Sequence, residues 1–172
     1  MKYQTHKNFL SVDLFKKVQS LIMDQDFPWR RRDHMTDDDR DKMYFSYGFY
    51  NYMISSSELY SPYIIPILKK LQATAPIQIR ANMSISALFK SSQWHRDYDF
   101  KCKTAILYLN DCDGGTDLKI NNKIIFIKAD ANKMLVFNTD ILHRAITSKK
   151  EPARYIINFN YFTHNFIERG EK

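Results

Sequence analysis

The sequence predicts a mainly β protein, either a β-sandwich or a jelly roll, whose strands follow a helical N-terminal part. Two observations support this fold class. Apolar residues recur at three- and four-residue spacing in the first helical segment, and at two-residue spacing after Pro76. Beyond Pro76, short strand-like segments follow one another and are separated by turn-forming residues. Many short strands after helices are typical of two packed sheets backed by helices.

Two helices are predicted in the N-terminal part. The first begins after Ser11, whose hydroxyl suits an N-cap, and it runs to about Asp24. The second helix spans about Pro62–Thr74, and its Pro66 lies early enough to be tolerated in the first turn. The apolar face of the first helix comprises Val12, Phe15, Val18, Leu21 and Ile22.

Strands are predicted from the aromatic and alternating segments. The aromatic stretch Tyr44–Tyr52 predicts a strand, and the charged segment Arg30–Lys42 before it predicts a solvent-exposed loop. Together these two segments could form a lid or recognition surface. Asn121-Asn122, between two strand-like segments, predicts a tight hairpin. The other predicted strands are residues 77–86, 103–109, 116–120, 123–127, 134–138, 143–146 and 154–162.

Length and composition predict one domain over 1–172, with a helical support and lid region at 1–76 and a jelly-roll core at 77–165. The two cysteines form no CxxC pair, which excludes a zinc knuckle and favours reduced thiols. An apolar signal core and an apolar run of membrane-spanning length are both missing, so we expect a cytoplasmic protein without a membrane partner. The formal charge of +7 favours acidic partners.

Three residues form a candidate metal site. His95 and Asp97 are two residues apart just after a predicted strand, so in extended backbone their side chains point to the same side. His143 begins another predicted strand, and distant strands become neighbours in a jelly roll. Two histidines and one carboxylate form a facial triad, which suits Fe(II) and leaves coordination positions open. The other histidines, which we interpret as surface or structural residues, are His6, His34 and His164.

A candidate anion site lies on the strand after the second histidine. Arg154 opens this strand, and its guanidinium fork matches a carboxylate bidentately. Alternation places Asn160 on the same face as Arg154, where a polar pocket would provide its hydrogen-bond partners. Thr104 and Tyr108 share a face on the strand after the HxD sequence, and Tyr108 could donate its hydroxyl to the same carboxylate. Asn82 belongs to the polar face of an earlier strand.

Three stretches together resemble a known enzyme family. They are WHRDYDFKCKTAILYLNDCDGGTDL, KADANKMLVFNTDILHRA and ARYIINFNYF, within residues 77–162. They resemble the 2-oxoglutarate/Fe(II)-dependent dioxygenases of the prolyl 4-hydroxylase-like group, and in particular short, phage-encoded members. The resemblance implies a double-stranded β-helix, a cupin-like jelly roll. It also implies iron ligation by His95, Asp97 and His143, anchoring of 2-oxoglutarate by Arg154 with Tyr108, and hydroxylation with O2 that releases succinate and CO2.

The sequence also departs from that family. The tyrosine that many prolyl hydroxylases carry before the HxD sequence is missing, and Asn82 is a candidate substitute. The nucleic-acid demethylases of this superfamily carry a second arginine six residues after the first, where this chain has Asn160. The substrate therefore stays open between a peptidyl residue such as proline and a small molecule. Two alternatives also stay open, which are a non-enzymatic metal- or ligand-binding jelly roll and a nucleic-acid-modifying oxygenase.

Overall fold

The computed structural model describes residues 2–34 and 42–163. The strands in these residues are β1 (Tyr3–His6), β2 (Arg30–Arg32), β3 (Tyr44–Asn51), β4 (Ile54–Ser55), β5 (Ala73–Ile85), β6 (Lys103–Tyr108), β7 (Gly115–Ile120), β8 (Lys123–Lys128), β9 (Met134–Asn138), β10 (Leu142–Ile146) and β11 (Ala153–Thr163). The helices are α1 (Val12–Ile22) and α2 (Ile65–Lys70), and one turn of π-helix, Tyr60–Ile64, leads directly into α2.

The strands form two antiparallel sheets. The larger sheet has eight strands in the order β1-β9-β6-β11-β5-β3-β2, with β4 paired to β3. The smaller sheet has three strands in the order β10-β7-β8. Most strands therefore pair with partners distant in sequence, as expected for a jelly roll. The predicted fold class, mainly β with N-terminal helices, is confirmed.

The core has two layers, one on each face of the larger sheet. Helices α1 and α2 cover one face, where Val18 of α1 and Ile67 of α2 pack with Ile157 and Phe159 of β11. The smaller sheet covers the other face with a separate apolar cluster, whose members are Ile106, Tyr108, Cys112, Leu118, Ile127, Ala129, Leu135, Phe137, Ile141 and Ile156. Strand β11 lies between both layers, so its odd-numbered residues face the helices and its even-numbered residues face the second sheet. This confirms the predicted alternation along β11.

Both helices differ in part from the prediction. Ser11 is the N-cap of α1, and its hydroxyl accepts a hydrogen bond from Leu14 N at 3.4 Å. Val12 was predicted to join the apolar face but is 65% exposed, because the first residue of the helix extends beyond the packed layer. The second helix ends at Lys70, earlier than predicted, because Gln72 has a left-handed φ of 55°.

The longer predicted strands are confirmed, but three short ones were missed. The prediction of a loop from Arg30 to Lys42 was wrong at its start, where β2 pairs with β3, and residues 35–41 lie outside the described residues. Strands β1 and β4 were also missed. All three have two to four mostly exposed residues, which is too few to show an apolar alternation. Within the described residues, no helix has the length and apolarity needed to cross a membrane.

The predicted hairpin at Asn121-Asn122 is confirmed. Both residues have positive φ angles, 50° and 61°, and they join the paired strands β7 and β8. Two successive left-handed residues form the mirror-image turn that matches the twist of paired strands, and asparagine tolerates this conformation well.

Candidate metal and anion site

Two extended segments bring the predicted metal ligands together at the edge of the smaller sheet. Loop residues Ser91 and His95 form bridges to Ile146 and His143 of β10. His95 and His143 exchange both backbone hydrogen bonds, each of 3.0 Å, so they are directly opposite and their side chains share a face. Asp97 follows two residues later, and the ligand atoms of the three side chains all lie within 4.8 Å of one another.

Backbone carbonyls orient both imidazole rings. Nδ1 of His95 lies 3.0 Å from the carbonyl oxygen of Gln93, and Nδ1 of His143 lies 3.2 Å from that of Ile141. In each ring Nδ1 can therefore carry the proton and donate a hydrogen bond to the carbonyl, which places the lone pair on Nε2. Phe137 packs edge-on against His143, with ring centroids 4.9 Å apart, and restricts the ring further.

The two oxygens of Asp97 have different surroundings. Oδ2 accepts hydrogen bonds from Thr104 Oγ1 at 2.9 Å and from Asn160 Nδ2 at 2.7 Å. Oδ1 lies 3.6 Å from Nε2 of His143 and 3.9 Å from Nε2 of His95. One oxygen is therefore held by donors, while the other faces the two imidazoles and is available to a cation as a single ligand atom.

The charge state of Asp97 suits metal binding. Burial by itself raises the pKa of this carboxyl group, but His143, His95 and the Asn160 amide outweigh burial and hold the pKa well below its usual range. The group is therefore a carboxylate at neutral pH, as a metal ligand must be. Within the described residues, the cluster contains no fourth histidine, cysteine or acidic ligand. A six-coordinate ion held there would keep three positions open.

Arg154 is the largest of the fully buried side chains and has only 2% of its surface exposed. Its Nη2 donates to Thr116 Oγ1 at 3.1 Å, and its guanidinium lies 5.5 Å from the centre of the Tyr108 ring. Its Nε has no hydrogen-bond partner, and no carboxylate of the described residues forms an ion pair with it. Burial lowers the pKa of Arg154, but an arginine stays protonated in proteins. The buried positive charge therefore lacks a counter-ion within the described protein.

One cavity of about 360 Å³ is lined by the three candidate ligands together with Arg154, Thr116 and Asn82. Asn158 also lines it, and its Nδ2 lies 3.5 Å from Asp97 Oδ2. Arg154 is four residues before Asn158 on the same face of β11, a separation of about 13 Å along the strand. The Oδ1 atoms of Asn82 and Asn158 are buried without a partner. The cavity therefore holds donors and acceptors that a polar ligand would satisfy.

The remaining predicted site residues differ in their positions. Asn82 lines the cavity, whereas Thr104 and Asn160 contact Asp97. Tyr108 is fully buried beside Arg154 and donates its hydroxyl to Thr116 Oγ1 at 2.8 Å. Thr116, which contacts both Arg154 and Tyr108, was not predicted as a site residue. A threonine at the start of a strand does not indicate a site in the sequence until its neighbours on other strands are known.

The other histidines lie apart from the cluster or outside the described part of the chain. His6 belongs to the exposed edge strand β1, and His34 lines a second groove, beside strand β2. His164 lies outside the described residues. The two cysteines, Cys102 and Cys112, are free and buried.

Comparison with solved structures identifies the fold. No protein-family model matches the sequence, and no curated protein matches it. Similar structures include a prolyl-4-hydroxylase from Pseudomonas putida, at 11% identity and a TM-score of 0.65, covering 94% of this chain and 92% of that chain. Another is a prolyl hydroxylase from Trichoplax adhaerens in complex with a hypoxia inducible factor oxygen degradation domain peptide fragment. It has 17% identity and a TM-score of 0.70, and the match covers 95% of this chain and 84% of that chain.

A third similar structure is an oxidoreductase of the 2OG-Fe(II) oxygenase family from Burkholderia pseudomallei. It has 10% identity and a TM-score of 0.72, covering 95% of this chain and 86% of that chain. The chain therefore has the fold of the 2-oxoglutarate/Fe(II) oxygenases, including prolyl hydroxylases, over nearly its whole length.

Proposed function

We propose that this chain is an Fe(II)- and 2-oxoglutarate-dependent dioxygenase that hydroxylates its substrate. The observation that carries the proposal is that the His-Asp-His cluster and the buried, unpaired guanidinium of Arg154 line the same cavity. The substrate is a peptidyl residue such as proline, or a small molecule, and the likeness to a peptide-bound prolyl hydroxylase supports a peptide.

Iron fits the three-ligand cluster. His95 and His143 would bind through Nε2, because a backbone carbonyl faces each Nδ1. Asp97 would bind through Oδ1 alone, because Thr104 and Asn160 hold Oδ2. We assign Thr104 and Asn160 to the positioning of this carboxylate. Outer hydrogen bonds of this kind fix ligand orientation and affect metal affinity.

The dicarboxylate 2-oxoglutarate fits the rest of the cavity. Arg154 would bind its distal carboxylate, which would supply the missing counter-ion and a partner for Nε. The hydroxyls of Thr116 and Tyr108 lie beside the guanidinium and fix its position. Asn82, whose Oδ1 lacks a partner, is a further candidate contact. The other end of the cosubstrate would then lie toward His95, Asp97 and His143.

When bound, the iron centre supplies oxidative chemistry, in which a substrate C–H bond, 2-oxoglutarate and O2 give a hydroxylated product, succinate and CO2. The protein contributes position and shelter to this reaction. Arg154 fixes one end of the cosubstrate, and the two packed sheets bury the ligand groups. The side chains of Asp97 and His143 are only 9% and 6% exposed. Restricted access of water protects a reactive centre from side reactions.

The proposal predicts that 2-oxoglutarate binding requires a metal ion. Mn(II) is an unreactive substitute for Fe(II). With Mn(II) present, calorimetry should give a dissociation constant for 2-oxoglutarate in the micromolar range, which corresponds to a binding free energy of about −8 kcal/mol. In the presence of a chelator the affinity should fall by at least about a hundredfold, because Arg154 alone would hold the ligand by one end. Equal affinity with and without Mn(II), or no binding in either case, contradicts the proposal.

The positioning role predicts a measurable loss of metal affinity. Thr104→Val, which removes a hydroxyl at nearly constant volume, should weaken Mn(II) binding about tenfold. The measurement is a calorimetric titration with Mn(II). Thr74→Val is the matched control, because the Thr74 hydroxyl donates to the carbonyl of Phe162, away from the cluster. An equal effect of the two substitutions would contradict a specific role for Thr104.

A further inference from the structure

A second groove of about 790 Å³ adjoins the candidate active site. Strands β2, β3 and β5 line it, and Tyr44 and Arg80 line both this groove and the inner cavity. The inner cavity has less than half this volume, at about 360 Å³, and in the proposed function it holds the cosubstrate. A substrate with its reacting carbon at the metal would therefore extend into the outer groove.

The groove is strongly basic. Among the residues that the structure describes, its charged lining consists of Arg30, Arg31, Arg32 and Arg80, together with one carboxylate, Asp33. Asp33 pairs with Arg31 at 2.8 Å. Within residues 2–34 and 42–163, no carboxylate pairs with the other three arginines. Among these described residues, three positive charges therefore have no carboxylate partner, which favours the binding of an anion.

Arg80 stands where the groove meets the inner cavity. It lies opposite Gly48 on β3 and opposite Asn158 on β11. Gly48 has no side chain to cover the guanidinium, and a Cβ built there would approach only Ser56 Oγ, at 3.5 Å. The Nε of Arg80 is buried without a hydrogen-bond partner. A buried donor of this kind is unfavourable unless a ligand accepts its hydrogen bond.

The tyrosines in the groove are already packed against other residues. Tyr44 is only 4% exposed, and Tyr47 packs edge-on against Phe27 at 4.8 Å. Tyr50 stacks on Tyr60 at 5.2 Å. Proteins that bind single-stranded nucleic acid combine basic grooves with aromatic faces on which bases stack. The burial of Tyr44 and the ring contacts of Tyr47 and Tyr50 leave less aromatic surface for stacking, which favours a peptide over a nucleic acid as the occupant.

The border of the groove suits a polypeptide. Strand β2 ends the larger sheet in the described chain and pairs only with β3, so its outer edge can form main-chain hydrogen bonds with an extended peptide. At the other end, the turn after Asn51 exposes Tyr52, Met53 and Ile54 by 60%, 88% and 69%. An exposed apolar group beside a groove is typical of a protein-binding surface.

We infer that the outer groove binds an extended, acidic peptide segment, with Arg80 as the main carboxylate receptor and Arg30 and Arg32 as secondary ones. The inference rests on the proposed function, and it specifies the substrate as a peptide with an acidic side chain near the hydroxylated residue. A fluorescein-labelled octapeptide of alternating glutamate and alanine is a direct probe. Its binding is measured by fluorescence anisotropy with Mn(II) and 2-oxoglutarate present.

The glutamate peptide should bind wild-type protein at least about tenfold more tightly than the same peptide with glutamine. Arg80→Gln should weaken its binding about tenfold. Gly48→Leu keeps every arginine but places a side chain beside Arg80, and it should weaken binding similarly. Lys123→Gln is the charge control, since Lys123 belongs to the β7–β8 hairpin of the other sheet, and it should leave binding unchanged.

Three results would overturn the inference. The first is equal binding by wild type, Arg80→Gln and Gly48→Leu. The second is tighter, Arg80-dependent binding of an octathymidylate, which would identify the anion as a nucleic-acid phosphate. The third is displacement of the peptide by free glutamate with an inhibition constant equal to the peptide's dissociation constant, which would indicate that the groove binds a small carboxylic acid. Calorimetry with 2-oxoglutarate on the same samples tests the proposed function separately.

Discussion

The His143→Ala variant should form no succinate above the background without enzyme. With Fe(II), 2-oxoglutarate and O2, wild-type protein should form succinate slowly even without a substrate, because the cosubstrate can be oxidised unproductively. Loss of one imidazole leaves His95 and Asp97 as the proposed ligands within the described residues, and two ligands hold iron poorly in water. We expect a rate reduction of more than about a hundredfold, which exceeds the usual effect of an outer hydrogen bond. Mass spectrometry of succinate is the measurement.

His6→Ala is the matched control. His6 lies on the edge strand β1, and its ring contacts Phe9, with centroids 6.2 Å apart. This variant should form succinate at the wild-type rate. A His143→Ala protein that keeps its far-ultraviolet circular dichroism and still forms succinate normally would exclude the proposed centre, and the non-enzymatic jelly roll would then be the better interpretation.

The His-Asp-His cluster could be predicted from the sequence because local geometry determines half of it. His95 and Asp97 are two residues apart in extended backbone, so their convergence needs no knowledge of the fold. His143 needed one further assumption, that strands distant in sequence become neighbours in a jelly roll. The same reasoning predicted β11, because a central strand shows a regular alternation when both of its faces are packed.

The hydrogen bonds that position the cluster, and the outer groove beside it, could not be predicted in the same way. The contact of Asn160 with Asp97 depends on the path of the loop between β5 and β6, which carries no periodic pattern. The outer groove depends on β2, a strand of three exposed arginines that has the composition of a loop. It becomes a strand because β3 provides hydrogen-bond partners, so tertiary pairing overrides local preference.

Replacement of Arg154 by methionine should greatly weaken 2-oxoglutarate binding without destabilising the protein. The guanidinium is buried and has no counter-ion in the described chain, so its charge is unfavourable in the free protein. Methionine has a similar length, no charge and a flexible side chain that can fill the space. We expect the unliganded variant to unfold at the wild-type temperature or above it. We also expect its affinity for 2-oxoglutarate with Mn(II) to fall by about a hundredfold or more, since a charge-assisted pair is lost.

Arg144→Met is the matched comparison and should behave in the opposite way. Arg144 forms an ion pair with the buried Asp117 at 2.9 Å and lies over the ring of Trp94 at 4.5 Å. Its removal leaves a buried carboxylate without a partner, which should destabilise the protein by about 1–2 kcal/mol, since Arg144 is partly exposed. Its affinity for 2-oxoglutarate should remain at the wild-type value.

Thermal unfolding scans in the presence of Mn(II), with and without 2-oxoglutarate as the ligand, measure both effects in one experiment. Ligand at a hundred times its dissociation constant should stabilise wild-type and Arg144→Met protein by about 2.7 kcal/mol, and Arg154→Met protein hardly at all. If Arg154→Met is instead destabilised and keeps its ligand response, the guanidinium is a structural group. The two arginines differ in the source of their carboxylate partner. The protein itself supplies a carboxylate to Arg144, whereas the proposed cosubstrate supplies one to Arg154. This difference is the reason for the opposite effects expected of the two substitutions.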